Sequence, residues 1–322
     1  MPELPDVTVY VERLAARVAG EVLEGIELRS PFVLRTVAPA LDELAGRRVA
    51  GVRRLAKRIV IDLDGALHLV VHLMIAGRLR WRGRGAAVTG RNVLAVLTVP
   101  SGALIVTEAA KRKRASLHVV GSGDLAAFER GGLEVAQASI REFIERLRSE
   151  NHTLKRALTD PRILSGIGSA YSDEILFHAR LSPFRQTAQL DDEELARLHA
   201  SCRGVLADWT ERLRAEVGDG FPEKVTAFRP GMAVHGRYRE PCPACGSPVQ
   251  RIVYAENESN YCAHCQTGGR LLADRALSRL LKRNWPRTLE EFEGGAGGGA
   301  PVSARSAPRR RATRPPRGRS AR

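Results

Sequence analysis

Two stretches of this sequence bring together residue types that could do chemistry: the first six residues and a cysteine quartet towards the other end. The chain opens Met1-Pro-Glu-Leu-Pro-Asp6, with two prolines and two carboxylates in six positions. Removal of Met1 would leave Pro2 with a free secondary amine. An α-amino group titrates at about pH 7.7–8.0, so a sizeable fraction is an unprotonated nucleophile near neutrality. Attack by such an amine on an aldehyde-level carbon gives an iminium, an electron sink that acidifies neighbouring C–H bonds. Glu3 stands beside it to move protons. The same hexapeptide also reads as a plain helix start, signalled by Pro5 and Asp6. Taken alone, it leaves both readings open.

The cysteines are more specific. Cys242-Pro-Ala-Cys245 and Cys262-Ala-His-Cys265 are separated by 16 residues, the spacing of a zinc ribbon in which two tight turns converge four thiolates. Four protein ligands leave no open coordination position, so one structural Zn2+ is expected, folding a hairpin and taking no part in catalysis. His264 between two ligands reads as a surface residue, and Cys202, alone in a helical stretch, as a packed thiol.

Elements must position these groups. Val7, Val11, Leu14, Ala15 and Val18 recur at helical spacing over 7–19. After Gly20 the texture changes to strands. Arg58–Asp64 and Ala66–His72 flank Asp64-Gly65, a type I′ hairpin signal. Asn92–Val99 and Ala103–Thr107 form a second hairpin through Pro100-Ser-Gly102. Helical periodicity returns over 138–149, 151–158, 170–178 and 192–216. The expected fold class is α+β: an N-terminal helix plus β-sandwich domain (1–130), a helical domain (131–232), and a zinc finger with C-terminal helix (233–290). A Gly-rich linker then leads into a basic tail (291–322) read as disordered. The formal net charge is +15, but residues 305–322 hold eight Arg and no acid, so the rest carries +7. A moderately basic body favours a polyanionic partner. The tail is open between non-specific DNA attraction and no role at all. The longest apolar runs, such as Leu67–Ile75, fall short of the roughly 20 residues that span a bilayer, and Glu3 and Asp6 argue against a secretory leader.

With these parts in order, residues 2–290 resemble the formamidopyrimidine-DNA glycosylase / endonuclease VIII family, on four separated motifs. Pro2-Glu3-Leu4-Pro5-Asp6-Val7 is similar to the family's Pro-Glu-Leu-Pro-Glu-Val, with Asp6 one methylene shorter. Arg53-Arg-Leu-Ala-Lys57 precedes a hairpin, and Lys57 matches the family's hairpin lysine. In the helical domain Lys155 matches a phosphate-binding lysine, and Gly166-Ile-Gly168-Ser169-Ala-Tyr171 matches Gly-x-Gly-Asn-x-Tyr, with Ser169 in place of Asn. The fourth motif is the ribbon, where the position of the family's phosphate-binding Arg falls on Asn257.

The resemblance implies a helix-two-turn-helix domain beside the sandwich and a DNA-gripping cleft between them. It implies a base-excision-repair DNA glycosylase with abasic-site lyase activity that removes oxidised bases. Pro2 would form a Schiff base with deoxyribose, Glu3 would protonate the ring oxygen, Lys57 would assist, and the strand would break by β,δ-elimination. DNA contacts are expected from His72, Met74, Ile75, Arg112, Lys113, Lys155, Gly168, Ser169 and Asn257. His72-Leu-Met-Ile-Ala-Gly77 aligns with the segment whose Met fills the hole left by an extruded base, so Met74 or Ile75 would wedge. The loop Glu108–Ala115 keeps charge through Lys111-Arg-Lys-Arg114 but has no aromatic. The partner expected is damaged duplex or single-stranded DNA and no membrane, and the protein a monomer in the cytoplasm at the bacterial nucleoid. Two alternatives stand beside this: a binder of damaged DNA with little glycosylase activity, or a lyase acting chiefly on abasic sites and single strands. The loop Gly218–Phe228 shows no pocket from which to read the excised base, and the family's opposite-base preference does not transfer across the changed loop Glu108–Ala115.

Overall fold

The computed structural model describes residues 1–254, 257–273 and 288. The expected tail and most of the expected C-terminal helix lie outside the described residues.

Helix α1 (Leu4–Val18) starts earlier than its periodicity suggests, because Glu3 is its N-cap and Asp6 Oδ2 accepts from the Glu3 N–H at 2.9 Å. That is the N3-to-cap half of a capping box. Val7, Tyr10, Leu14 and Val18 lie along one face, buried against the β domain, while Leu4 packs into the helical domain instead. One helix therefore touches both cores.

Two four-stranded antiparallel sheets follow. The first has strands β1 (Gly25–Leu28), β6 (Val93–Val99), β7 (Gly102–Glu108) and β5 (Gly77–Gly83), in that order. The second orders β2 (Val49–Leu55), β3 (Arg58–Leu63), β4 (Leu67–His72) and β8 (Ser116–Gly121). Leu69, Leu79, Leu104 and Leu117 are fully buried between them, giving the sandwich. The β3–β4 turn is one residue longer than Asp64-Gly65 predicts. Leu63 pairs with Leu67, and the left-handed positions are Gly65 (φ 70°) and Ala66 (φ 60°).

The helical domain comprises α2 (Ile140–Arg148), α3 (Leu154–Thr159), α4 (Ser169–His178) and α5 (Asp192–Val217) around a second core with Phe143, Leu158, Ile175 and Leu198. Cys202 is buried there, and burial pushes its thiol pKa up. The last elements among the described residues are the hairpin β9 (Val249–Tyr254) and β10 (Asn257–Cys262) and the short α6 (Ala263–Thr267). No helix among the described residues is long and apolar enough to cross a membrane.

Candidate active site

The start of the chain is wedged between the two domains. The Glu3 carboxylate accepts from the backbone N–H of Gly168 (2.5 Å), Ala170 (2.9 Å) and Tyr171 (3.3 Å), while the Leu4 N–H donates to the Gly166 carbonyl (2.9 Å). These N–H groups are the unpaired donors of the α4 N-terminus, where the helix dipole favours an anion. Glu3 is that anion. Glycine at 168 has a steric reason: a Cβ there would lie 2.5 Å from Glu3 Cδ. Pro2 is buried. The α-amino group one residue before it is pushed below its ordinary value by burial; Glu3 and Asp6 act against that shift, Arg78 and Lys57 with it. Five charged groups thus crowd the first residues.

Asp6 is buried and holds Arg229 Nη2 at 3.0 Å across the domain boundary. Burial raises its carboxyl pKa against the pull of Glu3 N–H and Arg229. Arg229 was not legible as a partner, since 223 positions separate the two.

Lys57 sits half-buried in the β2–β3 turn, after Ala56 at φ 54°. Burial lowers its ammonium pKa, Glu3 raises it and Lys155 lowers it, so Lys57, Glu3 and Lys155 share one electrostatic neighbourhood. His72, at the end of β4, is held at about 4 by burial and by Arg58, Lys57, His118 and Arg130. The β4–β5 turn presents Ile75, 52 % exposed, beside a half-buried Met74 at φ 53°. In the loop after β7, buried Glu108 accepts from the N–H of Arg114 (2.8 Å) and Ala115 (3.0 Å), and Lys113 Nζ donates to its carbonyl. Lys111 and Arg112 are left exposed at the loop tip.

On the helical side, Lys155 is buried, donating to Asp173 Oδ1 (2.5 Å) and to the Ser169 carbonyl (2.7 Å). Asp173 also accepts from Ser259 Oγ (3.2 Å) and Asn260 Nδ2 (3.3 Å) of β10, and lies 2.8 Å from His235 Nδ1. Burial opposes its ionisation, yet Lys155 and His235 hold its carboxyl below the ordinary range. The side chain of Ser169 donates to the Glu258 carbonyl (2.9 Å), so it fastens the hairpin to α4. The amide of Gly168 and the ammonium of Lys155 both have partners inside the protein, which is not what a bare phosphate cradle requires. Asn257 begins β10 opposite Tyr254; its side chain lies outside the described residues.

The sulfur atoms of Cys242, Cys245, Cys262 and Cys265 all lie within 4.8 Å of one another, with pairs at 3.5 and 3.9 Å. Tetrahedral zinc with Zn–S of about 2.3 Å puts sulfurs about 3.8 Å apart, so the quartet fits the ion. Cys262 Sγ also accepts from the Cys265 N–H, the turn geometry of a knuckle.

The profile of the formamidopyrimidine-DNA glycosylase N-terminal domain matches residues 1–162, just over half the chain. The chain belongs to the formamidopyrimidine-DNA glycosylase family. Profiles of that family's helix-two-turn-helix domain and of the zinc finger found in it and in isoleucyl-tRNA synthetases match 133–215 and 239–268. A formamidopyrimidine-DNA glycosylase from Thermus thermophilus is 34% identical over 281 residues, covering 84% of this chain and 100% of its own length. One from Chloroflexus aurantiacus is 31% identical over 277 residues, with 83% and 98% covered. In structure, the Lactococcus lactis protein in complex with abasic-site DNA superposes with a TM-score of 0.72 at 23% identity, over 82% of this chain and 99% of that one. Membership brings the enzyme class, a DNA glycosylase with abasic-site lyase activity, and the zinc finger that goes with it.

Proposed function

We infer that this family member, a DNA glycosylase for oxidised bases in base-excision repair, works through Pro2 of the processed chain. The observation that carries this is the Glu3 clamp. A carboxylate adjacent to the chain's first imino nitrogen is fixed by three backbone donors of the opposite domain, with Lys57 in the same group of charges.

A stacked base is out of reach of such a site, so the nucleotide must be flipped into it at a cost of a few kcal/mol. Ile75 is the exposed apolar side chain suited to take its place in the stack. Pro2 nitrogen attacks C1′ and passes its proton to the Glu3 carboxylate, the base leaves with the glycosidic electron pair, and Glu3 returns that proton to the ring oxygen as the sugar opens. The product is an iminium between Pro2 and C1′. It acidifies C2′–H, and loss of that proton expels the 3′ phosphate; a second elimination expels the 5′ phosphate. Lys57 supplies positive charge beside the departing phosphates. The zinc finger contributes rigidity, bringing β10 against α4.

Borohydride reduction in the presence of damaged or abasic duplex should give a stable covalent adduct with the processed wild-type chain. Pro2→Gly and Glu3→Gln should each abolish it. A processed wild-type protein that releases base without ever trapping would overturn the covalent route.

A further inference from the structure

We propose that the outer face of the second sheet carries a further DNA contact: a cationic ledge in which Arg35, Arg58, His118 and Arg130 continue from His72 and hold backbone phosphates of the duplex flanking the lesion. It rests on the reading of this chain as an enzyme of DNA.

The register builds the ledge. Ile59 pairs with Val71, Val70 with His118, and His72 with Ser116. Side chains alternate along a strand, so Arg58, His72 and His118 share the face on which Val60, Val70 and Val120 cluster with Phe128. Phe128 arranges the cations. Arg58 lies over its ring at 5.7 Å and donates to its carbonyl at 3.1 Å, and His118 meets the same ring edge-on at 4.9 Å. Arg35 arrives from a segment tied to the edge strand β8, through Arg35 N–H to the Leu117 carbonyl (2.9 Å) and Val119 N–H to Thr36 Oγ1 (2.8 Å). Arg130 follows Phe128 and is exposed.

Among the described residues Arg35, Arg58 and Arg130 make no ion pair. After burial, the groups that act on Arg58, His72 and His118 are all cationic or basic, namely Arg35, Lys57, Arg130 and one another. The far end of the same face shows the contrast, because there Asp62 takes both Arg53 (2.8 Å) and His68 (2.6 Å). Clustering like charge is unfavourable unless an anion arrives to meet it. Lys57 acts on both Glu3 and His72, so the ledge is continuous with the candidate active site and suits a strand running out of it.

The test is equilibrium binding of the full chain to an undamaged duplex across a KCl series. The probe contains nothing for Pro2 to react with, so failure here and failure of the borohydride trap are separate results. Arg35→Gln, Arg58→Gln and Arg130→Gln should each reduce the slope of log K against log[KCl] by about 0.9, the counterion release of one phosphate contact. Arg141→Gln, at an exposed position of α2 and paired with Glu145, should leave the slope alone. Should Arg58→Gln unfold through loss of its Phe128 contacts, the two exposed arginines still decide the matter. Slopes of Arg35→Gln and Arg130→Gln equal to that of Arg141→Gln would overturn the ledge.

Discussion

Gly168 shows how closely one backbone position controls the candidate acid. Its φ of −125° is open to any residue, so an added methyl introduces no backbone strain and acts only on its neighbour. That neighbour is Glu3 Cδ, 2.5 Å from where the Cβ would stand, and the carboxylate has to move. A displacement of about 1 Å in a reacting group can cost roughly 10²-fold in rate. Gly168→Ala should therefore slow single-turnover base release by about that factor and add little to the loss already caused by Glu3→Gln, since the two act through one group. Additive losses would show that Gly168 matters for some other reason. His72 gives a pH test. Its folded value of about 4, set by burial and by Arg58, Lys57, His118 and Arg130, lies below the ordinary value of about 6.5. The unfolded chain therefore binds more protons, so this histidine's share of stability is complete above about pH 6.5 and is lost as pH falls towards 4. A phosphate beside it reverses the preference, so DNA binding should take up a proton and tighten as pH falls below neutral. Log Kd against pH should be flatter for His72→Gln; parallel lines would show that no proton is taken up there.

At the level of elements, Asp173 joins four parts of the chain: α3 through Lys155, α4 on which it sits, β10 through Ser259 and Asn260, and the 233–235 segment through His235. Asp173→Asn removes the carboxylate that pairs with Lys155 and leaves Lys155 buried and unmatched. Removing one partner of a buried pair typically costs about 3–5 kcal/mol, and denaturant melts of the zinc-loaded protein should show a loss of that order. Asp173→Asn combined with Lys155→Met should recover part of it; a double variant no more stable than the single would mean the ion pair is not the cause. The sequence made this junction hard to see because its members span residues 155 to 260 and none forms a local motif. The Pro2–Glu3 pair and the cysteine knuckles were visible because neighbouring positions carry their chemistry. Helices α1 to α5 were visible too, through periodicity, except that α1 begins at Leu4 where capping and not apolar spacing decides. Strands β1, β2, β5 and β8 escaped notice. β5 reads Gly-Arg-Leu-Arg-Trp-Arg-Gly, with Arg78 and Arg82 bonding to Val225, Glu223 and nearby carbonyls, so charge masks a period that packing obeys. The ledge was equally hidden, since each of its cations comes from a different element.

For the molecule as a whole, the two domains meet through specific bonds that include Glu3 to the α4 amides, Asp6 to Arg229, Arg214 to Glu12 at 2.9 Å, and Arg54 to Glu134 at 2.5 Å. The sandwich has its own core, whereas the ribbon cluster is small, with Val234, Val249 and Phe177 packed beside the cysteines. Clusters of that size hold a fold only with a staple, here the metal. Chelation should therefore act unevenly. Hydrogen exchange of the zinc-free protein should lose protection across 242–254 and 257–267, and at α4 amides next to the freed Ser169 and Asp173, while β3 and β4 in the sandwich stay protected. Duplex affinity should fall with the ribbon, because β10 no longer braces the α4 turn that holds Glu3. Borohydride trapping should fall more than the loss of affinity alone accounts for, since the same turn positions the acid. Trapping that returns to the zinc-loaded level once DNA is raised to saturation would separate the ribbon from catalysis and confine it to binding.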